Sequence, residues 1–260
     1  MSVRLATERL EGDPVEHYFA VMERERPTVR RGNLRFELAQ RFGDVDLRAK
    51  SLLDIGAGSG EVSLFAACAG ASRVVALEPE AAGSSTGMRA QFDRLSRELG
   101  VQDRIELVPV TFQAYDPGAS RFDVLSLIAS VNHLDEQACT RLHRDKDARE
   151  RYRAIFTKLK RLAAPCARVI VSDCSSHNVF ADLRLKNPVA RAIEWHKHQP
   201  PELWAELLAE HGFARPSIRW ASFNSLRAPG RALLGNRIAA YLLTSGFCLT
   251  MALPTEPLTT

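Results

Sequence analysis

The stretch Leu52–Phe65, "LLDIGAGSGEVSLF", runs from an apolar segment through Gly56, Gly58 and Gly60 into an amphipathic one. The expected arrangement is a buried strand, a tight turn and the start of a helix. Glycine lacks a Cβ, so such a turn brings backbone close to a ligand. A following helix aims its free N–H groups and partial positive charge back at the turn. In an open α/β sheet, ligands belong beyond the carboxyl ends of the strands. As a dinucleotide fingerprint the stretch fails, because G-x-G-x-x-G counted from Gly56 needs glycine at 61. Glu61 stands there, and its carboxylate would repel a pyrophosphate. No Lys-Ser/Thr pair follows, as a triphosphate-binding loop requires. What fits is a cofactor with a ribose, no phosphates and a positive charge that tolerates Asp54 and Glu61.

Outward from this stretch, strands and helices alternate. Strands are expected at 51–56, 73–78, 104–110, 122–129 and 167–173, with helices at 61–70, 86–100 and across the basic segment 141–161. A helix at 201–212 leads to strand candidates at 217–223 and 241–253, which lack a long crossover helix and can pair antiparallel. Alternation at this spacing predicts βαβ units, a mostly parallel sheet and helices on both faces. Residues 14–42 read as helical, with breaks at Pro27 and near Gly32. No internal repeat is visible.

The 260 residues suffice for one large domain, and 45% apolar with 25% charged residues is ordinary for a globular chain. No stretch reaches the ~18 uncharged apolar residues of a membrane span. Five cysteines without a CxxC pair fit a reducing compartment, so the cytoplasm is expected. The net charge of +4 is unevenly spread. Residues 51–140 carry 6 basic and 12 acidic side chains, whereas 141–161 carry 9 basic and 3 acidic. That basic run reads either as a solvated helix face or as a patch for an anionic acceptor or an anionic membrane surface. Its mixed signs give no argument for nucleic acid.

"LLDIGAGSGEVSL" together with "VVALEPE" (Val74–Glu80) resembles the class I S-adenosylmethionine-dependent methyltransferases over about residues 45–175. The resemblance implies a Rossmann-like, seven-stranded, mostly parallel sheet over residues 46–260, a helical lid over 1–45, and S-adenosyl-L-methionine as cofactor. It implies that Glu78, 18 positions after Gly60, binds both ribose hydroxyls, a geometry suited to a carboxylate. Further cofactor contacts are implied for Asp54, Gly56, Ala57, Gly58 and Gly60 in the loop, with Pro79 beside Glu78. Thr111, Phe112 and Gln113 stand after the third strand, where the family often has an acidic residue near the adenine; here Phe112 would cover the ring. Ala129 and Ser130 follow the fourth strand.

Methyl transfer is an in-line displacement that needs a nucleophile held on the S–C axis and, for a hydroxyl, a proton acceptor. "LIASVNHLDE" (Leu127–Glu136) brings His133 to the end of the fourth strand, making it the first candidate base. His177, past the fifth strand, and His196 and His198, in "IEWHKHQPPELW", are candidate acceptor contacts, with Tyr18 a pocket candidate in the lid. The 196–198 spacing does not suit a structural zinc, and no metal is expected. The segment "SVNHL" lacks the Asn/Asp-Pro-Pro-aromatic pattern of nucleic-acid amino methylation. The expected reaction is therefore O-methylation of a small or carbohydrate-like acceptor. N- or C-methylation and a non-catalytic cofactor-binding sensor or partner protein remain open beside it, and oligomeric state is not legible.

Overall fold

A computed structural model describes residues 13–79, 87–185, 187 and 193–255. Asp13 caps the first helix, α1 (Pro14–Glu25), by accepting from Val15 N at 3.0 Å, with proline at the first helical position, where no donor is lost. Helix α2 (Arg31–Phe42) follows the break at Pro27 and runs through Gly32, so the break expected near that glycine is absent. The α/β core then proceeds as β1 (Ser51–Ile55), α3 (Glu61–Cys68), β2 (Arg73–Leu77), α4 (Met88–Glu98), β3 (Ile105–Val108) and β4 (Phe122–Ile128). A 3₁₀ turn (Val131–Leu134) and the short α5 (Glu136–Cys139) lead to α6 (Lys146–Leu162) and β5 (Ala163–Cys174). After them come α7 (Val179–Asp182), α8 (Pro201–Ala209), β6 (Ala214–Trp220), α9 (Arg227–Leu234), α10 (Arg237–Ala239) and β7 (Gly246–Ala252).

The sheet has seven strands in the order β3-β2-β1-β4-β5-β7-β6, parallel except for β7. β7 enters between β5 and β6, with Ile170 opposite Thr250 and Ile218 opposite Leu249. The antiparallel edge pair matches expectation; insertion of its second strand beside β5 does not follow from strand spacing. The apolar run 241–245, expected to begin this strand, instead coils into a π-helical turn over Ala240–Thr244. The ladder explains why: Gly246 pairs with Cys174, the last residue of β5, so earlier residues have no strand there to bond.

Both faces of the sheet are covered, so consecutive residues of β1 are buried. Leu53 and Ile55 pack with α6 and α8 residues such as Phe156 and Trp204, while Leu52 packs with Tyr18, Leu38 and Phe92 from α1, α2 and α4. The parallel strands β1, β2 and β4 consequently end together at one edge, where the glycine turn leaves β1. The described residues include no helix long and apolar enough to cross a membrane.

Candidate active site

The glycine turn is pinned from below. Gly56 N and Ala57 N both donate to Leu77 O at 2.9 Å, tying the turn to the end of β2. Asp54, 1% exposed, accepts from Ser63 Oγ at 2.6 Å and Ser126 Oγ at 2.8 Å. Burial pushes its carboxyl above the usual range, against the two hydroxyl donors. Asp54 therefore fastens β1, β4 and α3 together beneath the turn. Ser130 Oγ donates to Ile55 O at 2.5 Å and fixes the chain leaving β4, where Ala129 has a φ of 52° and donates to Ser172 O at 2.7 Å.

The glycines have separate reasons. A Cβ on Gly56 would lie 2.5 Å from Ser130 Cβ, and one on Gly60 would overlap the Phe92 ring. A Cβ on Gly58 would meet nothing within 4 Å. Gly58 N instead donates to Glu78 Oε2 at 2.7 Å, so the acidic side chain after β2 reaches the open side of the turn. Glu78 and Pro79 are half-buried there.

The sheet order, the turn and Glu78 coincide with a direct comparison. The family model described as "Methyltransferase domain" matches residues 24–215. The chain belongs to the methyltransferase domain family. Among solved structures, an S-adenosylmethionine-dependent methyltransferase from Mesorhizobium loti is 13% identical, with a TM-score of 0.53 over 80% of this chain and 92% of that one. The [4+2]-cyclase SpnF is 16% identical, with a TM-score of 0.55 over 86% and 81% of the respective chains. A Burkholderia thailandensis protein of the O-methyltransferase family is 12% identical, with a TM-score of 0.55 over 93% of this chain and 60% of that one. At these identities the likeness is one of fold, the class I methyltransferase fold.

S-adenosylmethionine is the methyl donor of class I methyltransferases, and the residues of this methyltransferase fit it. The space over Gly58 admits close backbone contact, the N-terminus of α3 faces the turn, and Glu78 offers a carboxylate to hydroxyl donors.

Beyond β3, Thr111 is exposed and accepts from Ala114 N at 3.2 Å. Phe112 is buried in the α6-side core, with Lys158 Nζ 5.4 Å from its ring centre. Gln113 Nε2 donates to Leu134 O at 2.6 Å, which ties this loop to the turn after β4.

Four imidazoles and Tyr18 occupy different settings. His133, with its side chain 54% exposed, brings Nδ1 to 2.6 Å from Glu136 Oε1. That imidazole, followed by Lys197 at 3.3 Å, holds the Glu136 carboxyl below the usual glutamate range. His198, only 14% exposed, brings Nδ1 to 3.0 Å from Asp173 Oδ1 at the end of β5. His177 stacks edge-on against Tyr241 at 5.3 Å and lines a cavity of about 300 Å³ with Ser175, Trp220 and Arg237. His196 is exposed on a 3₁₀ turn, away from any described hydrogen bond. Tyr18 is wholly buried, and its hydroxyl donates to Glu61 O at 3.0 Å.

Sequence reading passed over two side chains at this edge, Asp173 and Asn132. Asp173 Oδ2 and both amide atoms of Asn132 are buried without a hydrogen-bond partner among the described residues, and Glu136 holds His133. Asp173 carried a usable signal, since it is an acidic residue near the end of a strand, as Glu78 is at the end of β2. Asn132 carried none distinct from an ordinary turn residue.

Proposed function

We propose that this methyltransferase transfers a methyl group to a hydroxyl of a small or carbohydrate-like acceptor, with His133 as proton acceptor. The observation that carries the reading is the carboxylate-held imidazole immediately after β4, next to the strand end that leads to Ser130. With Nδ1 donating to Glu136, the lone pair of neutral His133 lies on Nε2, where a hydroxyl proton can be received. Glu136 then compensates the imidazolium that forms. When bound, S-adenosylmethionine supplies a methyl activated by its sulfonium. The residues proposed to hold it are Gly56–Gly60, Glu78 with Pro79, Ala129 and Ser130, with Asp54 bracing the turn from below and Thr111, Phe112 and Gln113 bordering the far side.

His177, His196 and His198 are the proposed acceptor-side contacts, while Tyr18 fixes the N-terminal segment. Residues 1–45, of which 1–12 lie outside the described residues, are proposed as the cover and 46–260 as the methyltransferase domain, supported by the packing of α1 and α2 on the α3 side of the sheet. Operation in the cytoplasm is part of the same proposal.

A second assignment of the base has its own support, because His198 is the more enclosed imidazole and Asp173 orients it in the same way. Comparing His133→Ala with His198→Ala on one acceptor identified by gain of a methyl mass distinguishes them. Loss of the base should lower turnover ~10²–10⁴-fold with cofactor affinity preserved, and the residual rate should rise with pH as hydroxide substitutes. If neither variant shows that pH dependence, deprotonation by histidine is wrong, and a nitrogen or carbon acceptor replaces the hydroxyl. Tight cofactor binding without transfer to any of a broad set of acceptors would contradict an enzymatic role for this chain.

A further inference from the structure

Antiparallel neighbours such as β6 and β7 need only a two-residue turn between them, yet residues 221–245 separate them here. This connection carries an unusual surface. The strongly exposed large apolar side chains among the described residues are Leu183, Leu185, Leu226, Leu233, Ile238, Leu242 and Leu243, 39–76% accessible. All of them fall in this connection or in the short segment after α7. The two segments are joined, since Tyr241 Oη donates to Asp182 Oδ2 at 2.9 Å and the Tyr241 ring meets His177. Isolated apolar residues on a surface need no explanation, but a gathering in two joined segments marks a contact face.

The connection carries charge of one sign, although Asp182 and Glu202 border the face. Residues 222–245 include Arg227, Arg231 and Arg237 and no acidic residue. Arg184 sits between the two exposed leucines of the other segment. Arg184 and Arg231 are exposed and form no ion pair with a described residue, while Arg237 pairs at 3.5 Å with Glu202. The basic helix α6 differs. There Arg149 pairs with Glu206, Arg153 with Glu210 at 2.7 Å, Arg151 with Asp135 at 2.5 Å, and Lys158 bonds Gln113 O at 2.8 Å. Arg141, Arg149, Arg151 and Arg153 of that run meet carboxylates, and among the described residues the run carries no exposed large apolar side chain, whereas Arg184 and Arg231 lie beside exposed leucines.

We propose that the joined surface of residues 183–185 and 226–243 docks on an anionic lipid interface. Leucine and isoleucine side chains beside unpaired arginines are what binding in the headgroup region requires, with apolar burial and charge attraction adding. A second copy of the chain fits less well, because a two-fold contact would bring the same arginines face to face. Arg237, Ile238 and Tyr241 also line the 300 Å³ cavity, so docking sets that cavity at the lipid surface.

Co-sedimentation of the full chain with vesicles tests this independently of any methyl transfer. Phosphatidylcholine vesicles containing phosphatidylglycerol should pull the protein down, pure phosphatidylcholine much less, and added salt should weaken the binding. Leu233→Glu/Ile238→Glu alters two side chains at least 74% exposed, so the fold should survive, as circular dichroism verifies. Partitioning should then drop ~10-fold or more. Absence of binding by the folded wild-type chain overturns the proposal, as does equal binding to neutral vesicles or binding unaffected by the double variant. Concentration-dependent dimerisation that the double variant abolishes, without vesicle binding, would instead assign the face to a second copy.

Discussion

The hydroxyl of Tyr18 donates to the main-chain carbonyl of Glu61 across 3.0 Å, joining α1 to the first residue of the helix that faces the glycine turn. Around it, Tyr18, Phe19 and Phe65 meet edge-on or tilted at 5.2–6.1 Å between centroids. Burial drives the Tyr18 phenol well above its ordinary range, so it stays a donor at any physiological pH. Tyr18→Phe removes that donor and keeps the ring. Thermal unfolding should show a loss of ~1 kcal/mol, and hydrogen exchange should quicken in α1 before it quickens in the sheet. In the unmutated chain, S-adenosylhomocysteine should slow exchange over residues 14–42; exchange indifferent to the ligand would make this segment a fixed packing element rather than a cover.

The outer side of the same helix is held by charge. Arg24 meets Glu98 at 2.7 Å and Glu25 at 2.8 Å, Arg94 lies at 3.5 Å from Glu98, and Arg94 also pairs with Glu25. Arg94 and then Arg24 hold the Glu25 carboxyl below its ordinary 4.5, and Arg24 does the same for Glu98. A lowered folded pKa means that the unfolded chain binds more protons in that range. The stabilisation is thus complete above the ordinary glutamate value and disappears as pH falls through the lowered folded values. Melting temperature should decline from pH 6 to pH 3 more steeply than in Glu98→Gln. Because these groups face solvent, salt should shrink the difference; parallel curves would show that the pairs contribute nothing.

Alanine at the three glycines should separate packing from ligand contact. All three have positive φ, an intrinsic cost of ~1 kcal/mol for a residue with a Cβ. Gly60→Ala adds a clash with Phe92 and Gly56→Ala one with Ser130, so both should unfold at clearly lower temperature. Gly58→Ala meets open space in the free protein and should keep most of its stability while losing cofactor affinity. Equal loss of stability in all three, with affinity spared in Gly58→Ala, would remove the cofactor from this face of the turn.

The β1–turn–α3 unit and the alternation that follows were legible because each depends on local patterns: an apolar run, closely spaced glycines, and helical periodicity closed by Gly70 or Gly100. Glu78 stood out only through the resemblance, which puts an acidic residue at the end of the second strand, and it does reach the turn at Gly58 N. The position of β7 was not, since strand order depends on which edge remains open after β5 rather than on the residues of β7. Nor was the coil at 240–244, whose apolar residues would suit a strand had β5 extended past Cys174. The Asp173–His198 pair lies 25 residues apart and arises from the path of the loop before α8, which has no local signature.

The most direct test of the cofactor site is titration calorimetry of S-adenosylhomocysteine with the wild-type chain, Glu78→Ala and Glu78→Gln. With Glu78 holding two ribose hydroxyls as proposed, removal of the carboxylate takes away two charge-assisted bonds, together ~3 kcal/mol. Affinity should therefore fall ~100-fold in Glu78→Ala. The loss should be smaller in Glu78→Gln, which keeps an oxygen for Gly58 N–H, and circular dichroism of both variants should match the wild type. Affinity unchanged in Glu78→Ala, or no binding by the folded wild-type chain, would contradict the account.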